Sequence, residues 1–183
     1  TKYNDIMAVD TNHQQFSSEP SIVLFDPEED FPLPMFIAMD RPEHTGQRRT
    51  VAPAFTPGEI EKMAVEVRQR TAEVLDTLPW GEQFDWVDKV SVELTTGMLA
   101  ILFGFPWEDR RLLTYWSDWA GDVELGLARD LNDMRFEILG EMAHYFQRLW
   151  IDRMGKEPSR DLISMMIHSD AMNHMSPQQF MGN

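Results

Sequence analysis

The sequence contains no cysteine, so no disulfide, thiolate-held zinc, iron–sulfur cluster or cysteine nucleophile can be built from these residues. Cations are scarce too. Sixteen Lys and Arg stand against 31 Asp and Glu, giving a formal net charge of -15 and a sequence pI near 4.6. A nucleic-acid duplex or an anionic membrane would meet long-range repulsion, which argues against both as partners. Long apolar runs are missing: the longest, Met98 to Phe103 continuing through Gly104 and Phe105, falls well short of the roughly 18 residues that suggest a membrane span. The Thr1-Lys2-Tyr3-Asn4-Asp5 start has no initiator Met and no basic segment followed by an apolar one, so no export signal is visible. These features point to a cytoplasmic protein. No Gly-rich phosphate loop, Gly-x-Ser-x-Gly elbow or His-Glu-x-x-His occurs, which leaves phosphoryl transfer and nucleophilic hydrolysis without a motif.

What is present is an ordinary globular composition: 43% hydrophobic and 26% charged over 183 residues, enough for one hydrophobic core. The signals are helical. Ile60, Met63, Ala64, Val67, Val74, Leu75 and Leu78 recur at the spacing of one buried face, with Thr56-Pro57-Gly58-Glu59 as the start and Pro79 as the stop. A second helix is expected after Phe84-Asp85-Trp86, with Val87, Val90, Leu94, Met98, Ile101 and Leu102 inward and Gly104 closing it. Residues 107–119 form a third amphipathic stretch and 130–154 the longest, with Ile138, Met142, Tyr145 and Leu149 on one stripe and Gly155 as the stop. A shorter helix begins near Ser159 and Asp161. Ser176-Pro177-Gln178-Gln179 has the form of a capping box, yet only seven residues run from Pro177 to Asn183. A helix that short is marginal alone, so the sequence reads as truncated at both ends. Residues 19–39, with prolines at 20, 27, 32 and 34, read as a long loop with apolar contents.

The sharpest local pattern is Met39-Asp40-Arg41-Pro42-Glu43-His44-Thr45-Gly46-Gln47-Arg48-Arg49. Asp40 and Glu43 are placed to cap a short helix on which His44 and Arg48, four apart, lie one above the other and can grip one anion. The alternative is a solvated helix face with a few ion pairs. The preceding Leu33-Pro34-Met35-Phe36-Ile37-Ala38 either lines an apolar pocket or staples the start of that helix. Glu141-Met142-Ala143-His144 has the Glu-x-x-His form used by helical di-iron proteins, but no second copy exists to complete such a site. His13, His168 and His174 read as solvated.

The stretch from Met39 to Pro57 resembles the start of the C helix of bacterial cytochrome P450 enzymes, which commonly read Asp-Pro-Pro-Glu-His-Thr, two variable positions and then Arg. Arg41 departs from the pattern where a second proline is usual. Asn12 to Ser18 resembles the end of the B helix, Leu102 to Asp109 the junction of the E and F helices, Asp161 to Ser164 the H helix, and Ser176 onward the approach to the I helix. Phe31 to Asp40 and Phe84 to Thr96 resemble the subgroup that hydroxylates terminal carbons of alkanes and fatty acids. The resemblance implies a mainly α, partial P450 fold with little β, a single incomplete domain over 1–183 from the B helix to the start of the I helix. It implies a fragment of a haem-thiolate monooxygenase that uses O2 and electrons from a ferredoxin and its reductase. In this reading His44 and Arg48 bind a haem propionate, and Leu33, Phe36 and Ile37 touch the alkane or fatty-acid substrate. Arg41 and Arg49 face the ferredoxin, and residues 107–150 supply the F and G helices that roof the pocket. The axial cysteine and the proton-delivery residues are expected beyond Asn183, so this chain holds no catalytic residue or metal ligand and is expected to be inactive alone. The competing reading is an acidic helical module that binds a ligand or protein without catalysis.

Overall fold

The computed structural model describes residues 2–21, 34–121 and 131–183. Among these no strand occurs. The helices are α1 (Tyr3–Asp10), α2 (Glu43–Val51), α3 (Pro57–Asp76), α4 (Glu93–Phe103), α5 (Arg111–Gly121), α6 (Asn132–Met154), α7 (Leu162–Ile167) and α8 (Pro177–Gly182). Helix α1 has no counterpart in the sequence expectations, and Asn12 to Ser18 lie just beyond its end rather than within it.

Two apolar clusters meet along α6. One gathers Ile163, Met166, Ile167, Met172 and Phe180 from α7, α8 and the segment between them. The other joins Ala100, Phe105, Trp116 and Ile138 from α4, the turn after it, α5 and α6. Phe103, Phe146 and Leu149 pack against both, which makes α6 the spine between them. Phe105 carries much of the second cluster: it stacks on Tyr145 at 4.9 Å and meets Trp116 edge-on at 6.2 Å. Offset and edge geometries of this kind are the favoured aromatic arrangements.

Two expectations about burial fail for identifiable reasons. Helix α3 forms where predicted, yet none of its residues is buried; Ile60, Val67 and Leu75 line an open groove along it. Periodicity reports that a face is apolar, not what covers it. Before α4, residues Val87–Val92 form a π-helical turn, whose extra residue per turn rotates everything after it. Val90 is buried as expected, but after it the buried residues are Thr96, Gly97 and Ala100, with Leu94, Met98 and Leu102 only half-buried and Val87 and Ile101 exposed.

Gly104 ends α4 in the left-handed conformation, φ 63°, the conformation that favours glycine at a helix stop. A Cβ there would lie 2.7 Å from Cγ of Asp161 and 3.0 Å from an Arg153 nitrogen. Arg153, near the end of α6, donates to the carbonyls of Phe103 and Gly104 and pairs with Asp161 at 3.2 Å. Asp161 in turn caps α7 by accepting from the Ser164 amide at 2.9 Å. Three helix ends meet at this one clasp. Gly104→Ala is expected to lower the denaturation midpoint, costing about 1–2 kcal/mol for the left-handed backbone alone, with the clash at the clasp added. A midpoint equal to that of the unaltered protein would show that the turn relaxes freely.

Candidate functional site

The cationic helix forms as the sequence requires, Glu43–Val51, and gives way at Ala52 to a 3-10 turn containing Pro53. Its start differs from expectation. No side chain caps it; the Asp40 carboxylate instead accepts from the Ser17 hydroxyl at 2.6 Å and the Ser18 amide at 3.0 Å. Those two bonds hold the Asp40 carboxyl below the usual carboxylate range, with His13 and His44 adding weaker attraction. Asp40 thus ties residues 17–18 to the head of α2 rather than pairing with the cations on it.

His44 and Arg48 sit one turn apart and line a hollow of about 350 Å³ together with Arg41, Thr45, Arg49 and Ala52. All four basic candidates therefore surround one space. Among the described residues no carboxylate forms an ion pair with His44, Arg41, Arg48 or Arg49, although elsewhere arginines are well paired, as Arg70 is with Glu66 and Glu73 and Arg110 with Glu93. In a chain with net charge -15, three arginines and a histidine with no ion-pair partner among the described residues make this hollow a candidate anion site. A planar guanidinium and an imidazole at this spacing suit a carboxylate, which accepts from both. The residues present therefore fit the carboxylate arm of a haem, and equally show no acid of their own in its place.

The apolar run before the helix touches this hollow through His44. Phe36 begins a single 3-10 turn, Phe36–Ala38, and its ring stacks over His44 with centroids 6.1 Å apart at 26°. Ile37, next in the turn, is half exposed. Sequence left open whether this run is a pocket wall or a staple; its Phe36 ring packs on His44, and its Ile37 is exposed. Leu33 lies outside the described residues.

Other candidates separate from this site. His144 lines a cavity of about 330 Å³ between α6 and α8 with Trp150, Met175 and Phe180. Among the described residues no three His, Asp or Glu side chains come close enough to hold a metal. His168 is not merely solvated: its ring nitrogens lie 2.8 Å from the Ser164 carbonyl and 3.1 Å from that of Lys156. Two residues escaped the sequence reading. Gln47 is buried beside the cations with its Oε1 unpartnered among the described residues, and Asn183 reaches back to the apolar wall. Gln47 sits within the basic motif but no spacing rule singles it out, and Asn183 is brought to Phe36 only by the fold.

No family model matches the chain. The structure of cytochrome P450-153 from Novosphingobium aromaticivorans is 70% identical in sequence, covering 89% of this chain and 41% of that one, with a TM-score of 0.79. That of CYP153D17 from Sphingomonas sp. PAMC 26605 is 55% identical, covering 100% of this chain and 46% of that one, with a TM-score of 0.85. Among curated proteins, a steroid C26-monooxygenase from Rhodococcus jostii is 30% identical over 191 residues, 98% of this chain and 39% of its own. The chain thus spans about two fifths of the length of the curated relatives it matches.

Proposed function

We propose, from the premise that this chain is part of a bacterial cytochrome P450, that the protein carrying it is a haem-dependent monooxygenase of alkanes or fatty acids and that His44 and Arg48 hold a haem propionate. The observation that carries the proposal is the pair itself: an imidazole and a guanidinium one turn apart, in a shared hollow, with no ion-pair partner to either among the described residues. Membership of this family implies haem, which when bound would supply the means of activating O2, with a cysteine thiolate favouring O–O cleavage. That thiolate must come from outside these residues, because the chain has no cysteine.

The chain's own residues orient and enclose. Arg48 offers a planar fork to the carboxylate and His44 a second donor. The Phe36 ring, stacked on His44, fixes the imidazole plane and shields it on one side from water. Phe36 and Ile37 give an apolar wall suited to an alkyl chain, whose burial gains about 0.8 kcal/mol per methylene. Leu33 is proposed, from the resemblance alone, to touch the same substrate. Identity to the two P450-153 structures, 70% and 55%, exceeds the 30% to the Rhodococcus steroid C26-monooxygenase, and the alkyl substrate itself rests on the resemblance of Phe31 to Asp40 and Phe84 to Thr96. Arg41 and Arg49, exposed at the rim of the hollow, are proposed to meet an acidic ferredoxin that is charged by its reductase. The whole is proposed to be one incomplete domain, cytoplasmic in the complete protein, and among the described residues no helix is long and apolar enough to cross a membrane.

The test is spectroscopic. The complete protein, reduced and treated with carbon monoxide, is expected to give the red-shifted Soret band of a thiolate-ligated haem and, with ferredoxin and reductase, to hydroxylate n-alkanes or fatty acids. The 183-residue chain alone is expected to give neither. A red-shifted band from the chain alone, or an alkane-inert complete protein, would contradict the proposal.

A further inference from the structure

We infer that Asn183 is a positioning residue for the apolar wall, its side chain fixing the backbone of Phe36 and so the stance of Phe36 and Ile37. The Asn183 Oδ1 accepts a hydrogen bond from the Phe36 amide at 2.7 Å, joining residues 147 positions apart. Its orientation is set by the other end of the same group: Nδ2 donates to the Gln179 carbonyl at 2.8 Å and lies 3.5 Å from the Met175 sulfur. A flipped amide would point N–H at N–H and lose all of these contacts.

The geometry forms a relay. The Phe36–Ala38 turn closes on itself through the Ala38 amide to the Met35 carbonyl and the Met39 amide to the Phe36 carbonyl. The Phe36 amide, at the head of the turn, is taken by Asn183. The Phe36 ring rests on His44, so the end of α8, the apolar wall and the cationic pair are connected through one residue. Without the Asn183 carbonyl, a part-buried amide loses its acceptor and the turn loses its fixed point against α8. A specificity role for this contact rests on the reading of Phe36 and Ile37 as the substrate wall; the positioning role does not.

Two variants of the complete haem-loaded protein separate these. Asn183→Leu keeps the size and removes the acceptor, whereas Asn183→Asp keeps the acceptor. Amide exchange at Phe36 is expected to quicken about 10-fold in Asn183→Leu, as for the loss of one hydrogen bond, and by less in Asn183→Asp, which keeps the acceptor for the Phe36 amide and loses only the donor to the Gln179 carbonyl. Titration with n-hexane through n-dodecane, followed by the Soret shift on binding, is expected to show Kd rising about 3- to 10-fold in Asn183→Leu, with chain-length discrimination narrowed and haem content unchanged. Unaltered exchange at Phe36 in Asn183→Leu, or equal disturbance in both variants, would overturn the inference. Quickened exchange in a protein whose wild type binds no alkane would overturn the substrate reading and leave the positioning role standing.

Discussion

Replacing Arg153 with alanine is expected to lower the stability of the folded protein by about 1–3 kcal/mol, the range for leaving part-buried hydrogen-bond partners unsatisfied. The side chains of Arg153 and Asp161 are 17% and 12% exposed, so solvent takes over the abandoned charge only in part. The guanidinium also serves the carbonyls of Phe103 and Gly104, the last acceptors of α4. Three partners are stranded by one truncation. Asp161 keeps its bonds from Ser159 and Ser164, which holds the effect within that range. The double change Arg153→Met with Asp161→Asn is expected to cost less than Arg153→Ala, because it leaves no uncompensated charge. Urea denaturation of the three proteins checks the order; equal midpoints for wild type and Arg153→Ala would remove the clasp from the explanation of how α4, α6 and α7 are held.

His44→Ala combined with Arg48→Ala is expected to raise the haem dissociation rate of the complete protein by about 100-fold or more, since a hydrogen bond to a charged group contributes about 1.5–3 kcal/mol and a factor of ten corresponds to about 1.4 kcal/mol. The single variants should fall between. His44 and Arg48 have no ion-pair partner among the described residues, so their removal strands no internal carboxylate and leaves the helix itself intact. The Asp40 carboxylate is satisfied by Ser17 and Ser18 and stays in place. Transfer of haem to an acceptor protein such as apomyoglobin gives the rate. A double variant that retains haem as wild type does would exclude these residues from the clasp.

Helices and their stops were legible because they are local. Pro57, Gly104, Gly155, Asp161 and the Ser176–Gln179 box act within one turn of themselves, and each marks the boundary it promised. The His44 and Arg48 pair was legible for the same reason, a four-residue spacing on one helix. What sequence hid is nonlocal or depends on a single inserted residue. The π-helical turn at Val87–Val92 rotates the face of α4 without any proline or glycine to announce it. The apolar stripe of α3 is real but uncovered, since periodicity carries no information about a neighbour. Asp40 looked like a cap because Ser17 and Ser18, which claim it, lie more than twenty positions away. Asn183 meets Phe36 across almost the whole chain, and no spacing rule reaches that far.

The propionate clasp itself is tested most directly by changing the ligand and the protein together. Apoprotein of the complete enzyme, wild type and His44→Ala with Arg48→Ala, is reconstituted with protohaem or with its dimethyl ester, in which both carboxylates are neutral. In wild type the ester is expected to leave far faster than protohaem; in the double variant that difference should shrink by about 10- to 100-fold, because the cations that distinguished acid from ester are gone. If esterification speeds haem loss by the same factor in both proteins, His44 and Arg48 do not hold a propionate.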